Sequence, residues 1–247
     1  MNKTLLKIGG SILTNKTGAD ISSIKRIAKE ITNKNKLVLV HGAGYCGHPE
    51  ADRLLGKSEI CDIYNTHRAV SKLNSIFLDF LSDEIPVVPI HPLNVVIAND
   101  GRITAFDINC IKNALENDIL PVIHGDIVFD RVRKFCIVSG DQIISYLARR
   151  LDVDKVGLAT DVDGVYLDGK VLEEITEKNI SKVLNQDYHL GKTHDVTGGM
   201  LGKIKELWGL SVESVIFNGS TVGNINRFLS GEPVGGTIIK PSRIEDL

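Results

Sequence analysis

The chain has 247 residues, 43% of them hydrophobic, and 29 lysines and arginines against 31 aspartates and glutamates leave a formal charge of -2. That balance excludes broad nonspecific attraction to nucleic acid or an anionic membrane, while allowing a local basic site. Four scattered cysteines, Cys46, Cys61, Cys110 and Cys136, form no C-x-x-C pair, so neither a disulfide framework nor a zinc site is indicated and a reducing compartment fits best.

No apolar run approaches the ~20 residues of a membrane helix, and only Thr4 to Leu6 separate Lys3 from Lys7, too little for a signal-peptide core. The expectation is a cytoplasmic protein without nucleic-acid or membrane partners. No linker or internal repeat divides residues 1–247, which are expected to form one domain with approximate lobes at 1–151 and 152–247.

The first expected strand, Thr4 to Ile8, runs into Lys7-Ile8-Gly9-Gly10-Ser11. Glycines there permit close backbone approach to an anion, and the lysine offers a point charge for phosphate oxygens; a plain turn with a surface lysine is the alternative. The G-x-x-x-x-G-K-[ST] order of a P-loop is absent, as is a G-x-G-x-x-G dinucleotide fingerprint at this turn. After a helix over Ser22 to Lys34, the strand Lys36 to Val40 ends in His41-Gly42-Ala43-Gly44-Tyr45-Cys46-Gly47-His48. Its glycines can form a nest of N–H groups, and His48 can hydrogen-bond a phosphate where the next helix begins. The alternative is a glycine-rich turn whose histidines cap backbone groups.

A helix over Asn65 to Ser82 carries Val70, Leu73, Ile76, Phe77, Phe80 and Leu81 at helical spacing, mostly for the core, with a few of them beside Tyr64 and Ile143 as candidates to wall a pocket. Strands then follow at Pro86 to Ile90, Leu120 to Ile123 and Phe135 to Val138, with a helix over Asp107 to Asn117. His124-Gly125-Asp126 ends one strand, and Ser139-Gly140-Asp141 opens a helix over Gly140 to Leu151. The strand Lys155 to Thr160 leads to Thr160-Asp161-Val162-Asp163-Gly164, and Asp168-Gly169 reads as a hairpin turn. Gln186 to Thr193 is polar and reads as a mobile stretch. In the last part a helix from Gly199 to Leu210 places Lys203 one turn inside, in reach of an anion at its start, and the strand Ser214 to Phe217 follows.

Near-continuous apolar strands alternating with helices predict a three-layer α/β/α sandwich around a mostly parallel open sheet. Ligands of such sheets bind beyond the strands' carboxyl ends, where at least five of the glycine junctions fall, so a shared phosphate site is favoured over independent turns.

In order and spacing these motifs resemble the amino acid kinase family: Lys7 to Ser11, Gly42-Ala43-Gly44, Ser139-Gly140-Asp141, Thr160 to Gly164, and Thr197-Gly198-Gly199-Met200 with Lys203. Lys16, the stretch His41 to Pro49 with His48, Val122 to Asp126 and Asp195 to Met200 most resemble its isopentenyl phosphate kinase branch, with fosfomycin-type kinases as the nearest alternative. The resemblance implies transfer of the ATP γ-phosphoryl group to isopentenyl phosphate, giving isopentenyl diphosphate, with magnesium carried by ATP and no protein ligand assigned. It implies catalytic roles for Lys7, Lys16, His48, Asp141 and Lys203, Asp141 orienting the two lysines. The nucleotide would meet Lys7, Ile8, Gly9, Gly10, Ser11, Gly44, Asp161, Gly199 and Lys203; the acceptor phosphate would meet Ala43, His48 and Gly140. Ala43, where many relatives have glycine, adds one methyl and keeps its N–H. A homodimer is expected from the same resemblance. A nonenzymatic nucleotide sensor is the alternative outside enzymes, against which stand the charges placed around a transferred group.

Overall fold

The computed structural model describes residues 3–31, 36–46, 60–186 and 199–241. In its first half lie β1 (Lys3–Ile8), the single-turn α1 (Gly10–Leu13), the hairpin of β2 (Thr14–Asn15) and β3 (Gly18–Ala19), α2 (Ile21–Glu30), β4 (Lys36–His41) and α3 (Ile60–Ser82). Next come β5 (Val87–Ile90), α4 (Pro92–Val95), β6 (Val96–Asn99), β7 (Arg102–Phe106), α5 (Asn109–Glu116), β8 (Leu120–His124), β9 (Asp126–Asp130), β10 (Lys134–Val138) and α6 (Gly140–Ala148). The remainder holds β11 (Lys155–Thr160), β12 (Tyr166–Leu167), β13 (Lys170–Val171), β14 (Glu174–Ile175), α7 (Ile180–Leu184), α8 (Gly199–Leu207), β15 (Ser214–Asn218), α9 (Asn224–Ser230) and β16 (Thr237–Ile239).

Eight strands form the main sheet in the order β14-β16-β15-β11-β1-β4-β8-β5. All its pairings are parallel except β15 with β16. Its central strands lack a polar face because both faces are covered. Leu5, Val38, Val40, Val156 and Leu158 pack with Ile143, Ile144 and Leu147 of α6 and Ile204 and Leu207 of α8. Leu6, Ile8, Leu37 and Leu39 pack on the opposite side with Ile24 and Ile27 of α2 and Leu73, Phe77 and Leu81 of α3. The three-layer sandwich is therefore as expected. Among the described residues, no helix is long and apolar enough to cross a membrane.

The structure also corrects several expectations. Phe135 to Val138 does not join the main sheet: as part of β10 it lies in a second, four-stranded sheet, β10-β9-β6-β7. The helices from Ser22, Asp107, Gly140 and Gly199 stop earlier than their apolar periodicity suggests, at Glu30, Glu116, Ala148 and Leu207. In α2 the cause is local, since Ile31 turns to extended backbone and its N–H still bonds back to Ile27 and Ala28. Lys34 and residues 187–193 lie outside the described residues. The Asp168-Gly169 turn is as expected, both residues having positive φ, as a type I′ hairpin requires.

Glu30 ties α2 to the last helix. Its carboxylate accepts from Arg26 at 2.7 Å and from the buried Ile225 N–H of α9 at 3.2 Å, while Arg26 also donates to Gly219 O at 3.0 Å. Glu30→Ala is expected to lower stability by about 2 kcal/mol in urea unfolding, because a buried N–H loses its acceptor. A change within about 0.5 kcal/mol would deny that link its weight.

Candidate active site

The parallel strands β1, β4, β8, β11 and β15 end along one edge of the main sheet, and the glycine junctions meet there. Gly9 donates to Ala159 O at 2.8 Å and Gly42 to Ile8 O at 3.0 Å, which holds the loops after β1, β4 and β11 side by side. The first two loops interlock without side chains between them. A Cβ on Gly10 would stand 2.1 Å from Gly44 N, and one on Gly44, whose φ is +54, would stand 2.1 Å from Thr14 Oγ1. Thr14 closes the joint by donating to Gly10 O at 2.8 Å and accepting from Tyr45 N at 3.0 Å. Backbone N–H groups are thereby presented at a place that side chains cannot fill.

Beside this joint the sequence brings three charged side chains together from three elements. Lys7 Nζ of β1 lies 2.7 Å from Asp141 Oδ1, and Lys203 Nζ of α8 lies 3.6 Å from Asp141 Oδ2. The side chains of Lys7, Asp141 and Lys203 are only 6%, 5% and 15% exposed. Asp141 stands in the first turn of α6, which Ser139 caps by accepting from Gln142 N at 3.1 Å. Gly140 opens the helix against the site: its Cβ would lie 3.3 Å from both His41 O and Lys7 Cε. Among the described residues, two cations around one carboxylate leave an excess positive charge, and the N-terminus of α6 adds its partial charge. Such a centre attracts a polyanion, as phosphoryl transfer demands.

A second wall beside this centre is imidazole-rich. β4 and β8 both end in His-Gly, with His41 and His124 paired in register. Each ring reaches the carbonyl of the glycine that follows, His41 Nδ1 to Gly42 O at 3.0 Å and His124 Nδ1 to Gly125 O at 3.1 Å. Burial pushes both imidazoles toward the neutral form, His124 to about 3. A neutral His41 donating from Nδ1 accepts at Nε2, so the Asn74 amide is best drawn with its nitrogen toward that ring. That orientation also gives a partner to the buried Asn74 Nδ2, which lacks one when Oδ1 faces the ring at 3.0 Å. His91 Nδ1 lies 2.9 Å from His124 Nε2, and His67 Nδ1 lies 2.8 Å from Asp126 Oδ2.

Of the residues singled out from sequence, Lys7, Asp141, Gly140 and Lys203 converge in space. Gly9, Gly10 and Gly44 form the joint beside them, and Ala43 is half-buried in the same loop. Ile8 is fully buried with its side chain in the core. Ser11, Lys16 and Asp161 are exposed, Lys16 in the turn between β2 and β3 and Asp161 just beyond β11. Gly199 begins α8 with φ +59. His48 lies outside the described residues. Val70, Leu73, Phe77, Leu81 and Ile143 are buried core residues, while Tyr64 is 63% exposed. The sequence reading missed Thr14, Asn74 and the joined histidines; the signal for Asn74 was the polar series His67, Ser71, Asn74 at helical spacing along α3.

The pattern of the Amino acid kinase family matches residues 2–216. A protein of Methanocaldococcus jannaschii named isopentenyl phosphate kinase is 41% identical, over 95% of this chain and 98% of its own. One of that name from Methanothermobacter thermautotrophicus is 40% identical over the same shares. Among solved structures, one described as isopentenyl phosphate kinase superposes with a TM-score of 0.83 at 37% identity, covering 96% of this chain and 100% of its own.

Proposed function

The chain belongs to the amino acid kinase family, and on that footing we propose that it transfers the γ-phosphoryl group of ATP to isopentenyl phosphate, forming isopentenyl diphosphate and ADP. What carries the reading is near-full-length identity of 41% to a protein named for this activity. The lysine pair on Asp141 supports it in physical terms.

Two polyanions must be brought in line, and charge on the moving phosphoryl group must be met by fixed cations. Lys7 and Lys203 face that group and the nucleotide phosphates. Asp141 holds both ammonium groups in place and removes no proton, since the acceptor is a phosphate oxygen already ionised near neutral pH. Lys16, on its exposed hairpin, reaches toward the transition state. N–H groups of Gly9, Gly10, Ser11, Gly44 and Gly199, with the Ile8 backbone, border the nucleotide phosphates, and Asp161 lies toward the nucleoside. Ala43 and Gly140 N–H groups together with His48 hold the acceptor phosphate. Residues 1–151 form the acceptor lobe, whose glycine loops also border the nucleotide phosphates, and 152–247 form the nucleotide lobe.

Magnesium, when it arrives with ATP, neutralises phosphate charge. The buried carboxylate at the centre already bridges two lysines, which fits a metal carried by phosphate oxygens. The working form is proposed to be a cytoplasmic homodimer. The decisive experiment is ADP release with ATP and magnesium against isopentenyl phosphate, fosfomycin, acetylglutamate and UMP. Turnover is expected with isopentenyl phosphate at a kcat/KM about 10²-fold or more above the others. Preference for another acceptor, or no turnover by folded protein, would sink the substrate assignment.

A further inference from the structure

We infer that His67 is a positioning residue for the acceptor phosphate: with Asp126 it fixes the turn His124-Gly125-Asp126, keeping Gly125 seated against the start of α6. The inference deepens the acceptor half of the site and rests on the reading above.

The chain of contacts is continuous. Asp126, its side chain fully buried, spends Oδ1 on its neighbour Ile127 N at 2.9 Å and Oδ2 on His67 Nδ1 at 2.8 Å, with Leu93 N at 3.4 Å. One residue back, Gly125 is closely packed: a Cβ would stand 3.2 Å from both Gly140 N and Val138 O, tighter than an ordinary contact. Gly125 N donates to His41 O at 3.0 Å, and His124 Nδ1 holds Gly125 O. The turn is thus pinned from β4 and from its own imidazole, and His67 pins it from the helix layer. A shift of the turn moves the Gly140 N–H against which the acceptor phosphate is read.

The titratable groups facing His67 are Asp126 from β9, His91 from the turn between β5 and α4, and His124 from β8; Ser71, on its own helix, meets Nε2 at 3.1 Å. The hydrogen bond to Asp126 raises the pKa of His67, while burial lowers those of His91 and His124. His67, whose side chain is 22% exposed, is therefore the imidazole of this set that holds its proton to a higher pH than an ordinary one, and its 2.8 Å contact with Asp126 fastens α3 to the turn, more tightly when the ring is charged. The sign follows: the charge-assisted part of the fastening is present while His67 is protonated and is lost as pH rises through its raised pKa, the neutral ring keeping only an ordinary Nδ1–H donor to Asp126.

The test compares full-length wild type with His67→Gln, which keeps the bulk and a donor but never the charge. KM for isopentenyl phosphate and for ATP would be measured from about pH 6 to 9, and each variant-to-wild-type ratio taken so that the acceptor's own ionisation cancels. The expected acceptor ratio is about ten-fold at the acid end and falls toward one as the His67 imidazole NMR signal titrates, with the ATP ratio within about two-fold throughout. An acceptor ratio that does not change with pH, or an equal rise for ATP, would reduce His67 to a structural contact and overturn the inference. Failure of the wild type to turn over isopentenyl phosphate would sink the substrate assignment alone. Inorganic phosphate then decides the matter: a saturable shift of the His67 signal that His124 shares supports the inference, and no shift overturns it.

Discussion

Lys203→Ala is expected to lower kcat on isopentenyl phosphate about 10³-fold, equivalent to roughly 4 kcal/mol of transition-state stabilisation, with little change in Tm. The separation of the two effects comes from how the charges are shared. Asp141 keeps Lys7 at 2.7 Å when the longer 3.6 Å contact to Lys203 is removed, so no buried carboxylate is stranded. Lys203 is also the most exposed of the three side chains, so its removal leaves less of a buried gap than removal of Lys7 would. Single-turnover quench flow checks the chemical step directly. A kcat within about three-fold of wild type would remove Lys203 from the transferring phosphoryl group. Lys7→Ala is a poorer probe, because it takes the shorter partner from a buried carboxylate and mixes lost catalysis with lost stability.

How much of this centre could be read from sequence depends on the kind of signal. Lys7, Asp141 and Lys203 are separated by well over a hundred residues at the widest, yet each sits within about one turn of a glycine-marked end of an element, and a parallel sheet sends all such strand ends to one edge. That topological rule made their meeting legible. The imidazole wall was not, because a histidine on an apolar strand reads the same whether it reaches a ligand or a carbonyl. Only the register pairing of His41 with His124 reveals that both hold a glycine carbonyl in place. The second sheet was missed for a different reason. Asp100-Gly101 carries the same hairpin signature as Asp168-Gly169, with φ of 50 and 82, but its strands β6 and β7 are only four and five residues long and were overshadowed by the longer apolar runs. Asp130 organises that region by accepting from the N–H groups of Asp100, Gly101, Val132 and Arg133, contacts that join turns about thirty residues apart and leave no local pattern.

Gly10→Ala is expected to damage the enzyme through backbone geometry alone. The new methyl would fall 2.1 Å from Gly44 N, 2.5 Å from Gly44 Cα and 3.0 Å from Ala43 C, none of which is the movable end of a side chain. Relief therefore requires the loop after β4 to withdraw from the loop after β1 by an ångström or more. The loop after β4 cannot withdraw alone: Tyr45 N is held by Thr14 Oγ1, and Thr14 donates to Gly10 O. The N–H groups proposed to face the nucleotide and those proposed to face the acceptor both hang on this joint, so KM should rise for both substrates. Because misplacement of about 1 Å can cost about 10²-fold, kcat/KM should fall by at least that factor, accompanied by about 1–3 kcal/mol of lost stability from overpacking. Gly235→Ala supplies the comparison: its φ is not positive, a Cβ there meets nothing within 4 Å, and its effect should stay within about 0.5 kcal/mol. Steady-state kinetics in both substrates, paired with urea unfolding, separates the outcomes. If Gly10→Ala loses stability but keeps kcat/KM, the joint only supports the fold. If acceptor KM rises while ATP KM stays unchanged, the first glycine loop does not border the nucleotide, and the assignment of Gly9, Gly10 and Ser11 to its phosphates fails with it.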